Sequence, residues 1–229
     1  LRLGKKAYRL ISSFLPEDSD VMERLHTPDV YGSDLVMYET DISKGGILEK
    51  GHVYLIPLIE ELKLPKDMRG RANPKSTTGR LDIFARVLTN RSPRFDDIAC
   101  GYEGQLFLEV MPRSFTIKVK EGLSLVQLRL VRGECALSDS RLKSLHKSSR
   151  LLYNGDEHLS ADDIKVSKGL FMSVDLSGDN PNGIIGYKSK KNSHVVDLTK
   201  KNHYNVADFW EPIQKNSRGT LILEPEEFY

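Results

Sequence analysis

Two short stretches of this 229-residue chain hold residue types that could do chemistry together. The first is Asn73-Pro74-Lys75-Ser76-Thr77-Thr78-Gly79-Arg80-Leu81, where two cations flank three hydroxyls and a glycine. Hydroxyls and backbone N–H groups bind phosphate oxygens, and Lys and Arg neutralise their charge. Gly79 permits close approach of the backbone. Taken alone, such a stretch is more often a polar loop with a helix cap. It is not a Walker loop, because the Gly-x-x-x-x-Gly-Lys spacing is absent.

The second stretch is Ile98-Ala99-Cys100-Gly101-Tyr102-Glu103-Gly104-Gln105-Leu106-Phe107-Leu108-Glu109-Val110. Here a single carboxylate, Glu109, sits inside an apolar strand pattern. Inward-facing carboxylates lose hydration, which suits them to proton transfer near neutral pH. Taken alone, a glutamate on the solvent side of an edge strand is the commoner arrangement.

Other chemistries lack their spacings. The six histidines (His26, His52, His146, His158, His194 and His203) form no His-Glu-x-x-His pair, and no Pro-Cys-x-x-Cys is present. The signature of zinc deaminases is therefore missing, and no zinc or other protein-held metal site is expected. Neither Gly-x-Ser-x-Gly nor a cysteine in a cationic neighbourhood beside a histidine is visible, so nucleophilic catalysis has no support. The run Lys188-Ser189-Lys190-Lys191-Asn192 reads as a solvated loop in preference to a phosphate site.

The elements that must position these residues read as short strands. Residues 1–14, 35–42, 46–58, 80–88, 105–110, 115–119 and 123–131 carry β-branched and aromatic residues at strand length, with Lys50-Gly51 as a turn. Even spacing of this kind suggests a sandwich or barrel. Residues 138–153 differ: Ser138 or Asp139 could cap a helix in which Leu142, Leu145 and His146 recur at helical spacing. Strand-like segments return at 169–176, 183–188, 195–198 and 219–223.

An internal repeat is suggested by two pairs of segments. Residues 47–54 resemble 222–229, and 1–4 resemble 174–177, at offsets of 222 − 47 = 175 and 174 − 1 = 173. The expectation is a barrel over residues 1–137, then a helix and the start of a second, duplicated and truncated β unit over 138–229. The chain begins on Leu1, not Met, and ends on a strand-like run, so it reads as an internal fragment.

Bulk properties narrow the partners. Hydrophobic residues are 39% and charged residues 29% of the chain, as in ordinary globular proteins. A net charge of +2 implies no polyanion field, so no nucleic-acid polymer is expected. No apolar run approaches the ~20 residues of a membrane span. Two isolated cysteines, Cys100 and Cys135, suit a reducing compartment, so a cytoplasmic location is expected.

At these residues the chain resembles the dCTP deaminase family, within the trimeric dUTPase-like superfamily. Leu1-Arg2-Leu3-Gly4 resembles the family's first barrel strand. Leu48-Glu49-Lys50-Gly51 and Leu62-Lys63-Leu64-Pro65-Lys66-Asp67 resemble its Pro-Gly turn and Leu-Pro-x-Asp segment. Lys75-Ser76-Thr77-Thr78-Gly79-Arg80 resembles Arg-Ser-Ser-x-x-Arg. Gly101-Tyr102-Glu103-Gly104 with Leu108-Glu109 resembles Gly-Trp-x-Gly…Leu-Glu, and Gly122-Leu123-Ser124-Leu125-Val126-Gln127-Leu128 resembles Gly-x-x-Ile-x-Gln-Leu. Each match is weak alone; they run in order over residues 1–133. The remainder, including Tyr187 to Lys191 and Asp208-Phe209-Trp210-Glu211-Pro212, resembles the longer, duplicated bacterial form.

The resemblance implies a mainly β, distorted dUTPase-like barrel (a β-clip), a homo-oligomer with trimer-like packing, and sites at subunit interfaces. It implies hydrolysis of dCTP to dUTP and ammonia, supplying dUTP for dUMP and dTTP synthesis, without zinc. Mg²⁺ would accompany the triphosphate. Glu109 would be the general acid/base. Ser76 and the backbone carbonyl near Thr89 would hold the attacking water, and Arg80 would lie near the reacting centre. Lys75, Thr77, Gly79 and Gln127 would lie near the phosphates, and main-chain groups at Leu106 and Phe107 would read the cytosine edge.

Four positions depart from the pattern. Lys75 replaces an Arg, losing bidentate phosphate contact but keeping charge. Thr77 replaces Ser, Tyr102 replaces Trp, and Ala99 stands where many relatives carry an Asp near the sugar. Asp96 and Asp97 are candidates to compensate. Ala99 disfavours a plain dUTP diphosphatase, and two alternatives stay open: a bifunctional dCTP deaminase and dUTP diphosphatase, in which Asp96 or Asp97 would serve, and a non-catalytic nucleotide-binding module.

Overall fold

The structure, a computed structural model, describes residues 1–28 and 32–229. In chain order the first half holds β1 (Lys6–Leu10), α1 (Val21–Leu25), β2 (Val36–Asp41), β3 (Gly46–Leu48), β4 (Val53–Lys63) and β5 (Met68–Pro74). There follow α2 (Ser76–Gly79), β6 (Ile83–Thr89), β7 (Asp97–Ile98), β8 (Glu103–Pro112), β9 (Ile117–Val119) and β10 (Val126–Arg132). The second half holds α3 (Asp139–Ser149), β11 (Tyr153–Asn154), β12 (Glu157–His158), β13 (Ile184–Ser189), β14 (Val196–Asp197) and β15 (Trp210–Gln214).

Strands of the first half make a five-stranded sheet in the order β2-β1-β4-β8-β6 and a three-stranded sheet in the order β10-β5-β7. A third sheet, β14-β9-β3, takes one strand from the second half. Alternation along the central strands distributes side chains to two cores. Tyr54, Ile56 and Leu58 of β4, Leu106, Leu108 and Val110 of β8, and Ile83, Ala85 and Val87 of β6 point into the main core. The intervening residues Leu55, Phe107 and Leu88 point the other way, into a second core closed by Tyr8, Leu10, Phe14, Val21, Leu25 and Leu35. Each of these three is at most 1% exposed, and each such burial contributes about 1.5–3 kcal/mol. The central strand β8 is therefore covered on both faces, which suits apolar residues at consecutive positions such as Leu106, Phe107 and Leu108.

Close approach of the chain start sets one glycine. Gly4 N donates to Pro57 O at 2.9 Å, and a Cβ at Gly4 would lie 2.5 Å from that oxygen. No side chain fits there.

The second half clasps the barrel. Its helix α3 begins where sequence places it: Ser138 Oγ accepts from Arg141 N at 3.4 Å. Val196 of β14 pairs in parallel with Ile117 of β9, and Phe209 and Trp210 meet Phe115 edge-on at 5.8 and 5.5 Å. The expected solvated loop at Lys188 to Asn192 is instead a tie. Lys188 pairs with Glu224, Lys191 with Glu227 at 2.8 Å, Lys190 Nζ donates to Ala207 O, and Ser189 is buried against Ser114.

Two expected strands, at 169–176 and 219–223, do not form. Neither has a partner strand, and Met172, Val174, Ile222 and Leu223 stay largely exposed, so backbone pairing has nothing to recruit them. Conversely β5, with its Arg-Gly-Arg run, looks unlike a strand yet is held between β10 and β7. Residues 222–229 form no strand, whereas their suggested counterparts at 47–54 contribute to β3 and β4. Cys100 and Cys135 are free and exposed. Among the described residues no helix is long and apolar enough to cross a membrane.

Candidate active site

Glu109 faces inward. It lies on the side of β8 that carries Phe107, opposite Leu55 of β4 and opposite Arg86 of β6, and its exposure is 2%. Arg86 Nε donates to Oε1 at 3.0 Å, and one of the guanidinium's terminal nitrogens donates to the same oxygen at 2.5 Å. The other carboxylate oxygen, Oε2, is enclosed without any hydrogen-bond partner. A buried acceptor left unpaired is costly, and such atoms concentrate where a ligand or a proton is handled.

Arg86 is itself held on several sides. Its guanidinium stacks 3.5 Å from the centroid of Phe95 and 4.7 Å from that of Phe84, and it donates to Ser13 Oγ at 2.9 Å. Cation–π contacts of this kind strengthen when partly desolvated, and the Arg86 side chain is 25% exposed. The loop carrying Phe95 is pinned by Asp96. Asp96 adopts a left-handed φ of 61°, and its Oδ1 accepts from Val87 N at 2.8 Å while its own N–H donates to Val87 O at 2.9 Å. Burial pushes the Asp96 carboxyl above its ordinary range, as does the nearby Glu109 charge, against the Val87 hydrogen bond and Arg86.

The residues of the hydroxyl-rich stretch lie at the surface. Lys75 stands at the extended N-cap of α2, and Lys75, Ser76, Thr77, Gly79 and Arg80 are exposed. Thr78 is the anchor: it is 2% exposed, and its Oγ1 donates to Leu125 O at 2.7 Å. Lys75 N donates to the same carbonyl at 2.9 Å. These bonds set the stretch against the start of β10, where Gln127 is exposed opposite Asn73. Within the single chain no side-chain hydrogen bond among the described residues joins Ser76 or Arg80 to Glu109.

Thr89, Leu106 and Phe107 are brought together. Thr89, 2% exposed, pairs with Leu106 where β6 meets β8. On the other side of β8 the ladder to β4 breaks between Pro57 and Glu61, so Leu106 has no β4 partner there. Pro57, opposite Phe107, has no N–H to donate. Tyr102 serves the frame: its hydroxyl donates to Gln105 O at 2.6 Å and accepts from Asn90 N at 3.3 Å, and burial pushes the phenol upward. Ala99 is exposed in the turn that precedes it.

Grooves are placed differently. Phe95 and Asp96 line one of about 520 Å³ with Arg71, Asn73, Arg94 and Arg129. Two larger ones, of about 610 and 630 Å³, lie around Lys50, Ser114 and Lys191, and neither is lined by Glu109 or by residues 75–80. The enclosed Oε2 is the better guide to chemistry than groove size, because it is a buried acceptor without a partner. Among the described residues no three His, Cys, Asp or Glu side chains converge as metal ligands.

Sequence reasoning missed Arg86. Its signal was present: a lone cation in the apolar run Ile83-Phe84-Ala85-Arg86-Val87-Leu88 mirrors the lone anion in the run around Glu109. Two isolated opposite charges in two buried strands have each other as the natural partner.

The chain is similar to known proteins along its whole length. The family profile described as the 2'-deoxycytidine 5'-triphosphate deaminase (DCD) N-terminal domain matches residues 1–134. The profile of the corresponding C-terminal domain matches residues 138–229. A crystal structure of 2'-deoxycytidine 5'-triphosphate deaminase from Agrobacterium tumefaciens is similar with a TM-score of 0.88 and 43% identity, covering 99% of this chain and 64% of that one. A dCTP deaminase from Acidianus ambivalens is 34% identical over 95 residues, 40% of this chain and 50% of the relative. The chain thus spans less than two thirds of the first relative's length and is matched over half of the second's.

Proposed function

The chain belongs to the 2'-deoxycytidine 5'-triphosphate deaminase family, and from that premise we propose that its protein hydrolyses dCTP to dUTP and ammonia. The observation that carries this reading is the burial of Glu109 on β8 with Oε2 unpartnered. Attack at C4 of cytosine requires a water to lose a proton and N3 to gain one. Glu109 takes the proton from water as the C4–O bond forms and delivers it to N3. The new hydroxyl's proton then passes to the amino group, the C4–N bond breaks, and ammonia leaves. One water enters and one ammonia departs, with no net change in protons.

The other roles follow the residue chemistry. Ser76, with the backbone carbonyl near Thr89, orients the water, and Arg80 stabilises charge developing at the ring. Lys75, Thr77, Gly79 and Gln127 face the triphosphate, which enters with Mg²⁺ as part of the substrate. The stretch of β8 at Leu106, without a partner on its β4 side, offers main-chain groups to the cytosine edge. Because Lys75, Ser76, Thr77, Gly79 and Arg80 are exposed and unjoined to Glu109 in one chain, the reading places the complete site between barrels of a trimer-like homo-oligomer. The product dUTP would feed dUMP and dTTP synthesis in the cytoplasm.

The test uses the full-length protein and Mg·dCTP, following ammonia release. Glu109→Gln is expected to fold and bind dCTP while losing about 10²–10⁴-fold in turnover. Near-normal turnover by that variant would sink the assignment. A second activity, cleavage of dUTP to dUMP, has one observation in its favour: Asp96 is half-buried and electrostatically coupled to Glu109. Pyrophosphate measured beside ammonia separates the two.

A further inference from the structure

We propose that Arg86 is the positioning residue of the deamination: it fixes Glu109 through Oε1 so that Oε2 alone carries the transferred protons. The proposal rests on the reading of Glu109 as the acid/base. Its ground is the asymmetry of the carboxylate. Both Arg86 contacts, at 3.0 and 2.5 Å, go to Oε1, and Oε2 is enclosed with no partner. A two-point grip on one oxygen sets the carboxylate's rotation about its last bond, which a single-point contact leaves loose. The grip is itself rigid, since Phe95 and Phe84 stack on the guanidinium and Ser13 receives a further hydrogen bond from it.

The same group must be base and then acid within one turnover, so its free oxygen has to hold one position toward both the water and N3. Leu55 faces Glu109 from β4 and carries no charge; Asp96, from the loop bearing Phe95, is a further charged group close enough for its charge and that of Glu109 to interact.

The experiment compares kcat and KM for dCTP in full-length wild type, Arg86→Gln and Arg86→Lys, with melting curves for each. A misplaced catalytic group costs about 10²-fold. Arg86→Gln is expected to lose about that factor in kcat while KM stays within about threefold. Arg86→Lys keeps the charge but not the two-point grip, and an intermediate loss of about tenfold is expected. A merely structural arginine would lower the melting temperature and leave kcat of the folded fraction unchanged, and that result overturns the proposal. If Arg86→Gln does not fold, Arg86→Lys decides: wild-type kcat in that variant overturns the proposal, and a selective kcat loss supports it. Wild-type protein that releases no ammonia would instead overturn the deaminase reading, and this proposal with it.

Discussion

Arg86 and Glu109 stand directly opposite one another on adjacent strands, and they are unequally buried: Glu109 is 2% exposed and the Arg86 side chain 25%. The inequality predicts unequal costs. Removing Arg86 strands an anion in the interior, whereas removing the negative charge leaves a cation that can reach water. Arg86→Met is expected to cost about 3–5 kcal/mol and Glu109→Gln about 1–2 kcal/mol, read from urea midpoints at neutral pH. The double variant Arg86→Met, Glu109→Leu should recover most of the larger loss. Equal costs for the two single variants would contradict the assigned burial.

Asp96 gives a pH-dependent prediction. Burial raises its folded-state carboxyl pKa above the unfolded value of 3.8. The native protein therefore holds the proton longer than the unfolded chain does. Asp96 favours folding below that value, and its contribution falls as pH rises through the window between the unfolded and folded values. Asn keeps the Oδ1 acceptor for Val87 N and tolerates the left-handed φ of 61°, but carries no charge. Asp96→Asn should thus melt higher than wild type at pH 7, with the gap closing as pH falls below 4. A lower melting temperature at pH 7 would show that the Val87 hydrogen bond and the attraction to Arg86 outweigh desolvation.

How much of this was legible follows the range of the interactions. Alternation within β4, β6 and β8 is local, so strands at 46–58, 80–88 and 105–110 were readable, but the cover over both faces of β8 comes from distant segments and was not. The helix at α3 was readable from Ser138 and the helical spacing after it. Pairing of Arg86 with Glu109 depends on the register of two strands whose partners are 23 residues apart, which no local pattern specifies. β5 was obscured because its strand character comes from β10 and β7 and not from its own Arg-Gly-Arg composition. The reverse holds at 169–176 and 219–223, where strand-like residues find no neighbour to pair with. The candidate site was half visible for the same reason: its residue types could be read, but not the pairing of Glu109 with Arg86.

Gly4 tests the close approach that starts the barrel. Its Cα faces the Pro57 carbonyl, and an added Cβ would sit 2.5 Å from that oxygen, which is backbone and has little room to yield. Gly4→Ala should cost about 1–3 kcal/mol as an overpacked contact. Gly186, where an added Cβ meets nothing within 4 Å, is the control. Gly186→Ala should be neutral or stabilise by about 0.4–1 kcal/mol through the unfolded chain. Thermal melts of the two variants check the contrast, and similar shifts would refute it.

Thr78 links fold to substrate. It is the buried member of an otherwise exposed stretch, and its hydroxyl donates to Leu125 O, which also accepts from Lys75 N. Thr78→Val keeps the shape and removes the donor, which should cost about 1 kcal/mol, since Leu125 O retains one partner. The larger effect should fall on binding. With the tie loosened, Lys75, Ser76 and Arg80 lose their fixed stance, and KM for dCTP should rise several-fold with a smaller change in kcat. Thr78→Ser keeps the hydrogen bond and should restore KM while still losing a methyl group, worth about 0.8 kcal/mol. Steady-state kinetics on the full-length variants decide between roles. A stretch that only caps α2 would show the stability loss of Thr78→Val with KM unmoved, and the phosphate-binding assignment of residues 75–80 would then fall.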